Sequence, residues 1–282
     1  MDSLEGYWDD LAPKGTRHLV IGPDRHGMFR RFVEIDQGTL RSNLEMEPSI
    51  VAIFEAIANF YHRIEEGVRD TRDVRVEDRL IPLCLFHESF KFWLNGVAVL
   101  LRGHLIEFLP LMRGALESAA YAHKIHRRPE LAEVWLQREQ RRREFDAAFR
   151  DGGIEQQLFP EDEPLVRRLW SLFDFASTFG VHSNHERLAF SIEGFRISNG
   201  HAHFDFVFAS SDLRMIGRCA GFCTTIAYRM LEVFRPCFED ITGLAVWMDD
   251  WPQLERRIHV YLESVQRAEG PRRVEEADGG RG

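Results

Sequence analysis

Apolar residues recur at three- and four-residue intervals through much of the chain, and this period constrains the fold more than any other feature. It is clearest over residues 50–64, where the repeating residues are Ile50, Ile53, Phe54, Ile57, Phe60, Tyr61 and Ile64. Such spacing puts all of them on one face of an α-helix, whereas a half-buried strand alternates at every second residue. Pro48 suits the first turn of this helix, because a first-turn N–H has no partner within the helix.

The same period returns often enough to predict a bundle of helices. Residues 78–128 have strong helical character, and Gly103 or His104 divides them into two packed helices, with Pro110 as the alternative break. Further helices are predicted over residues 128–149, 163–180 and 211–236, and after Trp251-Pro252. The sequence therefore predicts a mainly α fold.

One segment departs from the helical period and predicts a β-hairpin. Residues 187–197 and 201–209 are rich in residues that favour strands, and Asn199-Gly200 between them supplies the positive-φ turn that a two-residue hairpin loop needs. The expected fold is a helical bundle with one inserted β-hairpin at about residues 187–209.

The predicted domain organisation has a single helical body with less regular ends. Residues 1–43 are polar and broken by glycine and proline, which indicates an irregular segment with at most short strands. Residues 44–237 form the bundle that carries the hairpin, and residues 238–268 form a C-terminal helical extension. The charged residues 269–282 are expected to be a disordered tail.

Composition and charge exclude several classes of function and location for this protein. The net charge of −9 argues against a general polyanion binder. No stretch free of Asp, Glu, Lys and Arg approaches the roughly 20 residues needed to span a bilayer. The first ten residues, MDSLEGYWDD, lack the basic start and apolar core of a signal peptide. Four cysteines in 282 residues do not indicate a disulfide framework. We therefore expect a cytoplasmic, bacterial-type protein with no membrane association.

Two pairs of histidines resemble a metal site, but their spacing separates them. His182 and His185 precede the predicted hairpin, whereas His201 and His203 follow its turn. Because a strand rises about 3.3 Å per residue, we expect the two pairs to lie about 30 Å apart. A smaller site, formed by His182 and His185 with a nearby carboxylate, stays open and corresponds to a metal-dependent hydrolase. The interpretation that we prefer assigns no metal and no cofactor.

A polar stripe runs along the predicted helix that contains LPLMRGALESAAYAHKI. Arg113, Glu117 and Tyr121 follow one another at four-residue steps, opposite the apolar face and beside Gly103 and Gly114. One interpretation is a solvated ion pair that contributes about a few tenths of a kcal/mol. The other is that the glycines let a second helix or a ligand approach the stripe.

The segment QREQRRREF, residues 137–145, is rich in arginine. Glu139 and Glu144 interleave with these arginines, which favours a solvated helix face over a patch that contacts RNA. No glycine-rich phosphate loop, serine nucleophile elbow or HExxH motif is present in the sequence, so several common enzyme classes lack their signatures.

Two motifs carry a resemblance to a known superfamily. An apolar helix contains an R-x-x-L-E pattern, formed by Arg113, Leu116 and Glu117, and a later aromatic helix ends in the segment FASTFGVHSN, with Ser177 followed by His182. In this order of elements the chain resembles uncharacterised bacterial helical-bundle proteins that are distantly similar to the HEPN superfamily. The resemblance covers roughly residues 45–237.

That resemblance implies a helical bundle, often dimeric, in a superfamily of RNA-cutting toxins, antiphage proteins and non-catalytic relatives. HEPN-type ribonucleases carry an arginine, then four to six intervening residues, then the acting histidine, and no arginine precedes His182 at that spacing. Arg196 has this spacing to His201 and His203, but at a predicted hairpin turn rather than a helix end.

We therefore expect a HEPN-like module that acts through binding or assembly, in a setting such as bacterial defence or a toxin–antitoxin pair. Its predicted site is a cluster of Arg113, Glu117 and His182, its predicted assembly is a homodimer, and its expected partner is RNA or a protein. The alternative is a metal-independent ribonuclease in which His182 acts as acid or base and Arg113 stabilises charge on the phosphate.

Overall fold

The computed structural model describes residues 16–17, 28–70, 76–181, 192–198, 201–206, 209–240 and 246–269. In chain order its elements are β1 (Thr16–Arg17), α1 (Met28–Met46), α2 (Pro48–Asp70), α3 (Val76–Leu101), α4 (Leu109–Arg127), α5 (Leu131–Leu136), α6 (Arg142–Phe149), α7 (Ile154–Leu158), α8 (Pro164–Arg167), α9 (Trp170–Gly180), β2 (Ile192–Ser198), β3 (His201–Phe206), β4 (Ala209–Ser210), α10 (Leu213–Phe238), α11 (Val246–Asp249) and α12 (Trp251–Glu269). The prediction of a mainly α-helical fold is confirmed.

Helix α4 lies at the centre of the bundle, because it packs against α3, α9 and α10. Most of its side chains are buried and many of them are small, so neighbouring helices can approach closely. Two hydrogen bonds tie α3 to its neighbours within this core. The Ser89 hydroxyl donates to the carbonyl of Ala115 on α4 at 3.0 Å, and Trp93 Nε1 donates to the carbonyl of Cys223 on α10 at 2.9 Å.

The break predicted between α3 and α4 is confirmed at Gly103. This residue has φ +87°, a left-handed conformation that glycine adopts without the steric cost of a side chain. Its carbonyl accepts a hydrogen bond from the Ser210 amide at 2.8 Å. A Cβ at position 103 would lie 2.3 Å from the Ser210 carbonyl oxygen, so only glycine admits β4 here. Pro110, the alternative break, lies instead in the first turn of α4.

The strands form two short antiparallel pairs. Strand β2 pairs with β3, with Arg196 opposite His203 in the register, and β1 pairs with β4. Both β2 and β3 fall inside the segment predicted to be a hairpin. The predicted turn at Asn199-Gly200 lies outside the described residues, and the complete hairpin therefore stays a prediction.

The prediction of an irregular segment up to residue 43 is wrong over residues 28–43, which belong to helix α1. The spacing of apolar residues could not predict this helix, because its buried face is largely polar. Thr39 and Asn43 are buried, and Asp36 pairs with His104 at 2.8 Å and with Arg102 at 3.2 Å. Hydrogen-bonded polar groups can replace apolar ones on a buried helix face, so the helix carries no clear hydrophobic signature.

The single helix predicted over residues 128–149 is divided into α5 and α6. Residues 137–140 between them are exposed and polar, so they supply no apolar face that would hold a continuous helix against the bundle. We call residues 131–149 the α5–α6 arm. It returns to the core through Phe145 and Phe149, whose rings contact the ring of Tyr121 on α4.

The C-terminal half of the described chain completes the core. Helix α10 continues past the predicted stop at Pro236 to Phe238. Helix α12 begins at Trp251, two residues before the predicted start, and packs against α10 and α2 with Trp251, Leu254 and Ile258 buried. The predicted disordered tail lies outside the described residues from position 270. Among the helices that the structure describes, none is long and apolar enough to cross a membrane.

Candidate ligand-binding groove

A half-open groove of about 910 Å³ runs along α4, with α3 as one wall and the α5–α6 arm as the other. We call it the α4 groove. Its lining residues are Cys84, Leu85, Glu88 and Phe92 of α3, Pro110, Arg113, Gly114, Glu117, Ser118 and Tyr121 of α4, and Trp135, Arg138, Glu139, Arg142, Phe145, Asp146 and Arg150 of the arm and the residue after it. The polar stripe predicted along α4 therefore forms the floor of a groove.

The three stripe residues contact one another. Arg113 Nη1 lies 3.3 Å from Glu117 Oε2, and the hydroxyl of Tyr121 donates to Glu117 Oε1 at 3.4 Å. The Arg113 and Glu117 side chains are only 28% and 23% exposed. The pair is thus half-buried, and the interpretation of a freely solvated ion pair is wrong.

Two residues of helix α9 contact the side chain of Arg113. Arg113 Nε donates to the hydroxyl of Ser177 at 3.1 Å, and its guanidinium carbon lies 4.9 Å from the centre of the Phe173 ring. A cation over an aromatic face gains electrostatic attraction, and it is held in one orientation when a hydrogen bond is added. Arg113 is therefore fixed before any ligand arrives. Ser177 belongs to the second motif of the sequence, so the structure brings one residue of each motif into contact.

Burial is the main cause that raises the pKa of Tyr121 to about 12, and the neighbouring Glu117 carboxylate raises the pKa further. The Arg150 guanidinium acts in the opposite direction. Tyr121 therefore keeps its proton at neutral pH and acts as a hydrogen-bond donor to Glu117.

The arm contributes arginines that lie against aromatic rings. The guanidinium carbon of Arg138 lies 5.6 Å from the centre of the Trp135 ring, and that of Arg150 lies 5.3 Å from the centre of the Phe145 ring. Asp146 is 3.7 Å from Arg142 and 3.6 Å from Arg150. Sequence reasoning treated these residues as an exposed face. The signal that it missed is the interleaving of Trp135 and Phe145 with the charges.

The two glycines beside the stripe admit neighbouring parts of the protein. Gly103 admits β4, as described above. A Cβ at Gly114 would lie 3.3 Å from three carbons of the Phe92 ring, so this glycine lets the α3 wall approach the floor of the groove. The close approach of α3 at Gly114 agrees with the interpretation in which small residues let a second helix approach the stripe.

The histidines singled out in the sequence are not among the side chains that the structure describes. His182 and His185 lie outside the described residues, as do the side chains of Arg196, His201 and His203. Within the described part of the chain, no group of three His, Cys, Asp or Glu side chains is arranged to hold a metal ion.

The four cysteines differ in their exposure. Cys223 and Cys237 are buried, and burial raises the pKa of the Cys219 and Cys237 thiols to about 12. A thiol with so high a pKa stays protonated and unreactive at neutral pH. Cys84 is exposed and lines the α4 groove.

Comparison with known proteins gives this chain no relatives. No protein-family model matches it, and it matches no curated protein and no solved structure. The likeness to the HEPN superfamily thus stays an expectation that rests on the two motifs.

Proposed function

We propose that this protein is a non-catalytic, HEPN-like binding module that holds its ligand in the α4 groove, in a setting such as bacterial defence or a toxin–antitoxin pair. The observation that carries the proposal is the half-buried Arg113–Glu117 pair on the floor of the groove. Charged groups are seldom withdrawn from water without a reason, and a site that recognises a polar ligand is one such reason.

The dimensions and the rigidity of the groove support binding. Ligand sites commonly enclose about 300–1,000 Å³ and combine apolar surface with a few placed polar groups. The α4 groove has this volume, and aromatic rings lie on both of its walls at Phe92 and Trp135. Because Ser177 and Phe173 already fix Arg113, less side-chain entropy is lost when a ligand binds.

The floor residues favour binding over proton transfer. An efficient general acid or base has a pKa near the working pH. The pKa of Tyr121 is raised to about 12, so at neutral pH its hydroxyl can donate a hydrogen bond but is a poor proton acceptor. A donor, a carboxylate and a guanidinium in a row can recognise a ligand without transforming it.

The proposal can be tested through Cys84, the exposed thiol in the groove. The rate at which a thiol reagent modifies Cys84 would be measured while candidate ligands are added: inorganic phosphate, nucleoside monophosphates, single-stranded RNA and short peptides of mixed charge. We expect at least one class to slow the reaction in a saturable way. Arg113→Ala should raise the concentration needed by about tenfold, because the ligand loses its charged partner.

Arg267→Ala is the matched control for this experiment. Arg267 pairs with Glu263 at the same four-residue separation, but on the exposed surface of α12. It should leave the protection of Cys84 unchanged. The proposal would be overturned if a ligand protected Cys84 equally well in the wild-type and Arg113→Ala proteins, or if no class of ligand protected Cys84.

A metal-independent ribonuclease that uses His182 and Arg113 is the second candidate. It is favoured by the packing of Gly180, two residues before His182, against the first turn of α4. A Cβ at Gly180 would lie 2.7 Å from the Leu109 Cβ and 2.9 Å from the Pro110 nitrogen. The C-terminal end of α9 thus lies within about one helical turn of Arg113 along α4.

Labelled single-stranded RNA in EDTA separates the two candidates. Cleavage by the wild-type protein and not by a folded His182→Ala variant, checked by circular dichroism, would establish the ribonuclease. No cleavage by either protein is the outcome expected of a binding module. Metal-dependent cleavage that EDTA abolishes would point instead to the hydrolase alternative.

The proposed module is also expected to form a homodimer. Sedimentation equilibrium of the purified protein measures this directly, since one chain has a mass of 32.9 kDa and a dimer has twice that mass. A single species at the monomer mass, across the accessible concentration range, would remove assembly from the proposal and leave the binding groove in place.

A further inference from the structure

The charges that line the α4 groove balance. The lining includes four arginines (Arg113, Arg138, Arg142 and Arg150) and four acids (Glu88, Glu117, Glu139 and Asp146). A polyanion such as RNA would meet as many carboxylates as guanidiniums, which removes most of the electrostatic gain of binding. A polycation would meet the same obstacle. The balance favours a ligand that carries both signs of charge.

Each arginine in the groove is paired only loosely with an acid close by in the sequence. The closest N–O distances are 3.3 Å for Arg113–Glu117, 3.7 Å for Arg138–Glu139, 3.7 Å for Arg142–Asp146 and 3.6 Å for Arg150–Asp146. The last three of these pairs are largely exposed and contribute little to stability, whereas Arg113–Glu117 is half-buried. A ligand can therefore replace either partner in an exposed pair at small cost, and in the Arg113–Glu117 pair it can do so only if it satisfies the partner that is left.

The need to satisfy the partner that is left determines which charged groups a ligand must carry at the floor of the groove. A ligand carboxylate that takes Arg113 leaves Glu117 half-buried with a hydrogen bond from the Tyr121 hydroxyl but without the positive charge of Arg113. An uncompensated charge in such a place is costly. The ligand must then bring a cationic group to Glu117 as well, next to its own carboxylate.

The spacing of the stripe matches an extended peptide. Residues 113, 117 and 121 are four apart on a helix that rises 1.5 Å per residue, so their positions repeat about every 6 Å. In an extended chain, side chains on the same face repeat about every 6.6 Å, at every second residue. An acidic and a basic side chain two residues apart can thus contact Arg113 and Glu117 together.

From this match, we propose that the α4 groove binds an extended segment of a partner protein in which an acidic and a basic residue are two positions apart. The inference rests on the proposed function and names its ligand. The acidic side chain pairs with Arg113, the basic side chain pairs with Glu117, and the aliphatic parts of the segment lie between Phe92 and Trp135 on the two walls.

Calorimetric titration of the full chain with synthetic peptides tests the inference. The probes are acetylated, amidated heptapeptides with the centres Glu-Thr-Lys and Lys-Thr-Glu, because an extended peptide can lie in either direction. The control has the same composition with Glu and Lys adjacent, which places the two charges on opposite faces. We expect the tighter of the two probes to bind at least about tenfold more strongly than the control, because only it pairs both charges.

Protein variants connect the binding to the floor residues. Glu117→Gln preserves shape and removes the charge, and Arg113→Ala removes the other partner; each should weaken the tighter probe by about tenfold. Arg267→Ala, on the exposed surface of α12, should bind like the wild type. The probe should also bind more weakly as salt is raised, since salt screens the charges.

The outcomes separate this inference from the function on which it rests. Equal affinity for probe and control, or a Glu117→Gln protein that binds normally, overturns the peptide inference. If phosphate, a nucleotide or RNA protects Cys84 through Arg113 while no peptide binds, the peptide inference fails and the binding function stands. If no probe of any class binds, both are overturned.

Discussion

Arg113 on α4 donates a hydrogen bond to the hydroxyl of Ser177 on α9 at 3.1 Å, across 64 positions of sequence. The Ser177 hydroxyl in turn donates to the carbonyl of Phe173 at 2.7 Å. The serine thus links the guanidinium to the backbone of a second helix. The floor of the groove and the packing of α9 on α4 depend on the same contact.

We expect Ser177→Ala to lower the free energy of unfolding by about 1 kcal/mol, because Arg113 loses a half-buried hydrogen-bond partner. The measurement is the urea midpoint at an unchanged m-value. Ser264→Ala is the matched control, since its hydroxyl donates to the Tyr261 carbonyl of its own helix. A loss in Ser177→Ala that is no greater than the loss in Ser264→Ala would contradict the importance of this link.

Gly180→Ala should lower the free energy of unfolding by about 1–3 kcal/mol. The added methyl group would lie 2.7 Å from Leu109 Cβ and 2.9 Å from the Pro110 nitrogen, so α9 would have to move away from α4. The urea midpoint measures the loss, and increased reactivity of Cys84 would report a change in the groove.

Gly217→Ala is the opposite case and serves as the control. Gly217 lies within α10, and a Cβ there would have no neighbour within 4 Å. Because alanine favours a helix over glycine, we expect Gly217→Ala to raise the free energy of unfolding by about 0.5–1 kcal/mol. If Gly180→Ala and Gly217→Ala changed the free energy of unfolding in the same direction, the close packing of α9 on α4 would not be the factor that decides the effect.

The helices with apolar faces could be predicted from the sequence, and α1 could not. In α2 every third or fourth residue is apolar, so the period alone identifies the buried side. In α1 the corresponding positions include Asp36, Thr39 and Asn43. Asp36 pairs with His104, and the Asn43 amide group donates to the Leu101 carbonyl, so these partners are distant in sequence. A polar face that finds its partners only after folding leaves no local pattern.

The alignment of the residues on the floor of the groove could be predicted from the sequence, and the walls that cover them could not. Arg113, Glu117 and Tyr121 lie on one helix, so their four-residue spacing places them in line before any tertiary contact is known. Their burial depends on Phe173, Ser177 and the arm, which belong to other helices and reach α4 only through the fold. Sequence spacing therefore indicates which residues share a face, but not whether another element covers that face.

Trp93→Phe is expected to lower the free energy of unfolding by about 2–4 kcal/mol. Trp93 is fully buried, and its Nε1 donates to the Cys223 carbonyl at 2.9 Å, so phenylalanine loses this bond and leaves a cavity between α3 and α10. Trp135→Phe, in the half-exposed wall of the groove, should cost less than about 1 kcal/mol. Similar losses in the two variants would mean that the Trp93 bond does not help to hold α3 against α10.

The last prediction concerns the stability of the fold at acidic pH. Burial is the main cause that lowers the pKa of His123 on α4, while the Glu163 carboxylate opposes it and the nearby cationic groups add to it. The folded state therefore binds a proton less readily than the unfolded state, whose histidine has its ordinary pKa near 6.5. Where the unfolded state holds more protons, stability rises with pH, so stability is lost as pH falls through about 6.5.

His123→Gln should reduce this loss, because glutamine does not titrate. The measurement is the difference between the free energies of unfolding at about pH 7.5 and about pH 5.5, which should be smaller in the variant than in the wild type. Part of the difference should persist, since burial also lowers the pKa of His126. An unchanged pH dependence in His123→Gln would show that this buried histidine does not make the fold sensitive to acid.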